Sequence, residues 1–231
     1  MAKIGKRSKI LNSSYDSNNI YKIEEAVNLV KTSANAKFDE TFEVAITLGV
    51  DAKKSDQVVR GVSALPHGTG KTIRVAVFAR DAKAKEAQEN GADIVGAEDL
   101  VESILGGNID FDRCVATPDM MALVGRVAKV LGPKGLMPNP KLGTVTMNVG
   151  DAVKAAKSGE IHFRIDKAGI VHAGVGKVSF AVSAIVENIK YLIKSVEKAK
   201  PETSKGVFIR NVSVSSTMGI GVKVEPISVT T

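Results

Sequence analysis

A chain of 231 residues allows one large domain or two ordinary ones, with ample length to bury a core. Its 44% hydrophobic and 25% charged residues read as a soluble globular protein and exclude a disordered one. The net charge of +7 favours a polyanionic partner, with solubility as the alternative reading of the same surplus.

The first residues, Met1-Ala2-Lys3-Ile4-Gly5-Lys6-Arg7-Ser8-Lys9, are basic, but Ile10-Leu11-Asn12-Ser13-Ser14 lacks the apolar stretch a signal peptide requires. No run of ~20 apolar residues able to cross a bilayer occurs, so neither export nor membrane insertion is expected. Thr41–Val50 alternates cleanly, with Phe42, Val44, Ile46, Leu48 and Val50 on one face and Thr41, Glu43 and Thr47 on the other. That is the pattern of a half-buried strand. Gly68-Thr69-Gly70-Lys71-Thr72 invites a phosphate-loop reading, yet Leu65 stands where the first glycine belongs, so a flexible hinge loop is expected.

From Thr72 to Gly159, apolar runs alternate with helical ones. Ile73–Ala79, Ala92–Val95 and Arg113–Ala116 read as strands. Ala82–Asn90, Ala97–Leu105 and Pro118–Leu131 read as helices, the last capped by Thr117 with Pro118 at its first position. Cys114, the one cysteine, excludes an intramolecular disulfide and lies in an apolar run. A buried structural thiol and a reducing cytosol follow. Gly132-Pro133-Lys134-Gly135 matches the GxxG of a single-strand RNA module, but Pro138 and Pro140 break the helix that module needs, so a turn is expected. Asp151–Lys157 is a short helix closing at Ser158-Gly159.

Glu160–Asp166 and Gly169–Val175 read as a hairpin around Lys167-Ala168-Gly169, which would set His162 opposite His172. Gly174 and Gly176 begin a dinucleotide fingerprint that Ser179 breaks. Over Ala181–Lys200, Val182, Ile185, Val186, Ile189, Leu192, Ile193 and Val196 form one apolar helical stripe, ended by Pro201. Val207–Val214 and Gly221–Val224 are strands again.

The fold class is therefore mixed, α/β and α+β. A discontinuous α+β domain from both chain ends, residues 1–67 plus 159–231, is expected to carry an inserted Rossmann-like βαβ domain, residues 68–158. Residues 68–158 hold 12 Lys and Arg against 11 Asp and Glu, while the flanks hold 20 against 14. The polyanion is expected on the flanks, an ordinary solvated surface being the alternative. His67, His162 and His172 have no Cys, Asp or Glu at metal-ligand spacing, no nucleophile elbow or acid/base carboxylate pair stands out, and aromatics are only 4%. No metal, cofactor, enzymatic activity or base-stacking platform is expected.

Four stretches carry a family resemblance: Ala36-Lys37-Phe38-Asp39-Glu40-Thr41, Asp56-Gln57 through Leu65-Pro66-His67-Gly68, Val130-Leu131-Gly132-Pro133-Lys134-Gly135-Leu136-Met137-Pro138-Asn139-Pro140, and Ser216-Thr217-Met218-Gly219. From about residue 2 to 225 the chain resembles the family of bacterial large-subunit ribosomal protein number one, the ribosomal stalk family. The resemblance implies a protein that grips folded large-subunit rRNA, forms the mobile stalk beside the tRNA exit site, and assists release of deacylated tRNA. It also implies repression of the protein's own operon mRNA through the same surface, a monomer when free, and a cytoplasmic, ribosome-bound location. The RNA contacts it implies are Lys37, Phe38, Thr217, Met218 and Gly219, with Thr41 and Ser216 beside them, and then Arg164, Asp166 and Lys167. In this reading Thr217 donates to or accepts from a phosphate or 2′-OH, Gly219 permits close backbone approach, and Met218 and Phe38 pack on a sugar or base. Read without the resemblance, Met218 and Phe38 are core residues and Thr217-Met218-Gly219 a turn. Two rivals stand beside it: an enzyme holding a phosphate-bearing substrate in the βαβ middle, and a translational repressor with no ribosomal role.

Overall fold

The computed structural model describes Leu11, residues 15–16 and residues 18–226. The chain divides into two compact units, Met1–Gly70 with Ile161–Thr231, and Lys71–Glu160.

The first unit is built on a five-stranded sheet. Its strands are β1 (Ile20–Tyr21), β2 (Thr41–Leu48), β8 (Ile170–Lys177), β9 (Ile209–Ser216) and β10 (Gly221–Val224), in the order β1-β10-β9-β2-β8. All its neighbours are antiparallel except β1 with β10. Strict alternation on β2 sends Phe42, Val44, Ile46 and Leu48 inward, all buried, where they meet Val171, Ala173 and Val175 of β8 and Val212 and Val214 of β9. Helices α1 (Ile23–Ser33) and α7 (Val182–Lys198) cover that inner face with Ala26, Val27 and Val30 of α1 and Ile185, Ile189, Leu192, Ile193 and Val196 of α7. The expected apolar stripe is thus the core face of α7, with Val182 and Val186 at its half-buried margin.

One polar residue sits within that stripe. Asn188 is fully buried: its amide donates to Gly68 O (3.0 Å) and Val175 O (2.8 Å), and its oxygen accepts from the His67 N–H (3.2 Å). Full pairing offsets the desolvation of a buried amide. The loop at Gly68–Gly70 is therefore pinned where it leaves the unit. Gly68 and Gly70 both adopt positive φ, 65° and 68°, and the chain runs on into a strand with no helix to cradle a phosphate.

A second, two-stranded sheet pairs β3 (Arg60–Ala64) with β7 (Glu160–Arg164). This corrects the hairpin expected over residues 160–175. β7 pairs with β3 and β8 with β2, and only the single bridge Ile165↔Val171 joins the two runs. The tight turn between them was legible. The long-range partner each strand chose was not, and His162 and His172 consequently lie in different sheets.

The second unit has a three-stranded parallel sheet in the order β5-β4-β6, from β4 (Val75–Phe78), β5 (Ile94–Gly96) and β6 (Arg113–Ala116). β4 is buried at every position because both its faces are covered. Ala76 and Phe78 enter one core with α3 (Glu98–Leu105) and the 118–131 segment, while Val75 and Val77 enter another with α2 (Asp81–Glu89) and α6 (Val149–Lys157). The single helix expected over Pro118–Leu131 is instead a chain of short turns: 3₁₀ at Pro118–Met120 and Gly125–Val127, and α4 (Met121–Val124) and α5 (Ala128–Leu131). Gly125, of a residue type about 1 kcal/mol less favourable in a helix than alanine, stands where the helix tightens. Thr117 stands at the N-cap of the first of these turns with Pro118 next, as expected, but its hydroxyl makes no capping bond and is aimed at Phe78 O (3.5 Å). Cys114 is buried, and burial pushes its thiol up to about 12, as its apolar surroundings predicted.

Candidate nucleic-acid interface

The segment between α1 and β2 and the turn between β9 and β10 meet at one end of the five-stranded sheet. Glu40, only 2% exposed, joins them. Its carboxylate accepts the Ala36 N–H (3.1 Å) on one oxygen, and the Ser216 hydroxyl (2.7 Å) and Met218 N–H (2.9 Å) on the other. Bonds of this kind to a carboxylate are the strong, charge-assisted type. Thr41 and Thr217 extend the β2–β9 ladder by one step. The Thr41 N–H donates to Thr217 Oγ1 (3.0 Å), and the Thr217 N–H donates to Thr41 O (3.1 Å).

This scaffold holds Phe38 and Met218 in water. They are 55% and 53% exposed, each two residues from Glu40 or from Ser216, the two ends of the buried hydrogen bond. A core reading of either residue does not survive that exposure. Lys37 is exposed beside them. Lys177 reaches in from the end of β8, donating to Thr41 Oγ1 (3.0 Å), and Asp39 accepts from the Ser179 hydroxyl (2.8 Å) and N–H (3.2 Å).

Three of the expected contact residues have chemistry other than that expected. Ser216 is 4% exposed with its hydroxyl committed to Glu40, so it shapes the turn from within. Gly219 also serves packing: a Cβ there would collide with the Ser216 hydroxyl. The Thr217 hydroxyl donates its one proton to Thr41 O (3.3 Å). It also accepts the Thr41 N–H, and its remaining lone pair suits a donor such as a ribose 2′-OH.

Arg164, Asp166 and Lys167 lie at the other end. Along β2 and β8, Thr41 pairs with Lys177 at one end and Thr47 with Ile170 at the other, so six residues, about 20 Å, separate the two groups. Arg164 and Lys167 are exposed. The Asp166 carboxylate is the keystone of its turn, accepting the N–H groups of Ala168 (2.8 Å) and Ile170 (2.9 Å). Those backbone bonds, the one from Ile170 first, and then His172 at 3.6 Å, hold its pKa below the usual carboxylate value.

Between the two ends runs the outer face of the sheet, away from α1 and α7. Its rows are Gly174–Glu43–Ser215, His172–Ala45–Ser213 and Ile170–Thr47–Asn211. Small residues along its middle leave a shallow groove of about 270 Å³ over Ala45, Gly174 and Ser215, with Glu43 and His172 at its sides. Sequence reasoning missed this face, Glu40 and Lys177. The alternation of Thr41, Glu43 and Thr47 already marked the face as solvent-directed, but nothing in the sequence paired it with the small residues of β8 and β9.

Residues Lys71–Glu160 carry 12 basic and 12 acidic side chains, and the rest of the chain 20 and 13, so the whole surplus of +7 belongs to the first unit's sequence. Four of those charges, Lys3, Lys6, Arg7 and Lys9, lie outside the described residues. Among the described residues no three His, Cys, Asp or Glu side chains converge as a metal site, and no helix is long and apolar enough to cross a membrane.

Exposed apolar side chains on a hydrogen-bonded turn, cations beside them and an open small-residue sheet face make this a candidate surface for a polar, anionic macromolecule. Residues 29–220 match the model of the ribosomal protein L1p/L10e family, and the chain belongs to that family. It is accordingly a structural, non-enzymatic ribosomal protein that binds rRNA.

Proposed function

We propose that this protein binds rRNA of the large subunit through its first unit, with Lys37, Phe38, Thr41, Thr217 and Met218 at one end of the contact and Arg164 and Lys167 at the other. The observation that carries this reading is the pair Phe38 and Met218, held out in water by the buried carboxylate of Glu40. With their backbone so fixed, these apolar groups pack on a ribose or an unstacked base at the cost of side-chain ordering alone. On the surface between them Glu43 repels phosphate but accepts from a 2′-OH, as does Thr217 Oγ1. A wide, shallow A-form minor groove presents 2′-OH groups to such a face. Ser216, Gly219 and Asp166 act indirectly, by setting the two turns.

In this reading the two units are separate domains, and the first carries the RNA site. The bound protein forms the mobile stalk near the tRNA exit site and assists release of deacylated tRNA. The same surface represses translation of its own operon mRNA, and the free protein is a cytoplasmic monomer. Sedimentation tests the ribosomal role: the protein should track the large subunit in sucrose gradients of salt-washed ribosomes. A protein found only in the soluble fractions would point instead to a free-standing repressor. Replacing a folded rRNA fragment by DNA of the same sequence should lower affinity at least tenfold. Equal affinity would remove the 2′-OH from the argument.

A further inference from the structure

At the end of the sheet where β2 stops, a groove of about 560 Å³ opens between the start of β9, the end of α7 and the chain after β10. Phe208, 7% exposed, forms its floor, and Val207, Ile209 and Pro226 line it. Val207 is 72% exposed, the highest value among the exposed large hydrophobic side chains described, and with Ile209 and Pro226 it makes a contiguous apolar patch. Two cations stand at the walls: Lys200, whose ammonium lies 5.9 Å above the Phe208 ring, and Arg210. One carboxylate, Glu197, faces them.

The groove is continuous with the second group of the proposed RNA surface. Phe208 O accepts the Gly49 N–H (2.7 Å), and the preceding residue, Leu48, donates its N–H to Gly169 O (2.9 Å) in the turn that carries Lys167. A polyanion lying across Arg164 and Lys167 is thereby led to the groove mouth.

We propose that this groove takes one unpaired nucleotide of the bound RNA, with its base against Val207 and Ile209 and its phosphate between Arg210 and Lys200. The volume accommodates a single nucleotide but not a duplex, whose bases are stacked out of reach, so the occupant is a bulged or single-stranded residue. Glu197 sets the preference. A carboxylate accepts from the exocyclic amine of adenine, cytosine or guanine, whereas uracil has no amine and offers only a ring N3–H flanked by two carbonyl oxygens that repel the carboxylate. The inference rests on the RNA-binding reading above and adds a subsite that recognises base identity.

The full chain is titrated with two labelled probes, hexameric oligoadenylate and hexameric oligouridylate, and read by fluorescence anisotropy at moderate salt. Oligoadenylate should bind about tenfold more tightly. Arg210→Ala should weaken both by about fivefold, and Val207→Asp should abolish detectable binding. Glu197→Ala should remove the difference between the probes. A benzoylphenylalanine at position 207 should cross-link to rRNA in intact large subunits. Hexamer binding unchanged in Arg210→Ala and Val207→Asp overturns the subsite, as does a cross-link made to protein in place of RNA. Met218→Asp, assayed against a folded rRNA fragment, separates the two ideas. Loss of fragment binding in Met218→Asp with unaltered hexamer binding in the groove variants leaves the main surface standing and removes the groove. The reverse pattern keeps the groove and removes the surface.

Discussion

Glu40 is the residue whose alteration most directly tests whether the proposed RNA surface is built or merely exposed. Its carboxylate holds the Ala36 N–H, the Ser216 hydroxyl and the Met218 N–H in a site only 2% exposed. Glu40→Gln keeps the shape and one acceptor oxygen but turns the other into a donor facing a donor. At least one charge-assisted bond is lost and one buried group is left unpaired, at a cost of about 2 kcal/mol. For a protein of this size that corresponds to a fall in melting temperature of about 4–8 °C. Glu40→Ala leaves all three donors without their partner, and should cost about 3–5 kcal/mol.

The functional effect follows from the same bonds. Freed from Glu40, the segments carrying Phe38 and Met218 must be ordered when RNA binds, and an ordering cost of about 1.4 kcal/mol appears as a tenfold weaker Kd. The assay is binding of a folded rRNA fragment to Glu40→Gln at a temperature where the variant is fully folded by near-UV circular dichroism. A variant that melts earlier yet binds with unchanged affinity would show that Phe38 and Met218 need no preorganisation. Glu40 would then serve stability alone.

Four further outcomes are expected. Affinity for the fragment should fall steeply with salt, and Lys37→Ala should reduce the slope of log K against log salt by about one unit; a flat plot counts against phosphate contacts. Met218→Asp should weaken binding more than tenfold, about 1.4 kcal/mol or more, with little change in melting because the side chain is 53% exposed; sharp melting with normal binding would reverse the assignment. Asp166 has its pKa depressed in the folded state, so its hold on the Ala168 and Ile170 amides is present above the unfolded value and lost as pH falls below about 4. Amide resonances of the turn should move in that acid range in the native chain and stay put in Asp166→Asn. Replacing residues 71–160 by a short Gly/Ser linker should leave a folded remainder that binds the fragment within about tenfold of the intact chain; an inert remainder beside a tightly binding middle piece would refute the placement of function.

Much of the fold was legible because it rests on local period. The alternation of Thr41–Leu48, the unbroken apolar run of β4 and the 3.6-residue stripe of α7 each dictate which face is buried. What was not legible depends on partners far away in the chain. β7 could be read as a strand, but not its pairing with β3 across about a hundred residues. Asn188 lay inside an apolar stripe and gave no sign of the three backbone groups it would satisfy. The site divides in the same way. Phe38 and Met218 stood out in their motifs, while Glu40 did not, because a carboxylate beside an expected polyanion reads as repulsive until its burial is known. Ser216 and Gly219 belonged to a motif whose residues looked equally surface-directed, and only packing separates those that face out from those that hold the turn.

The arrangement also says where specificity can come from. The middle unit is neutral in sum, but residues 120–150 contain Arg126, Lys129, Lys134 and Lys141 and no carboxylate, so charge alone does not single out the first unit. What the first unit has, and a diffuse patch of lysines lacks, is a set of groups fixed relative to one another: two exposed apolar side chains tied to one buried carboxylate, rows of small and polar side chains on the open sheet face, and a cationic turn about 20 Å away along β2. Lysines set how strongly any RNA is held, and salt erodes that contribution equally for all sequences. Groups held by buried hydrogen bonds lose little entropy on binding and penalise every RNA whose riboses and unstacked bases do not match their spacing. The prediction that Glu40→Gln weakens binding without changing the net charge of any exposed residue is therefore a test of that distinction: if affinity follows surface charge alone, Glu40→Gln binds like the native chain, and if it follows preorganised geometry, it does not.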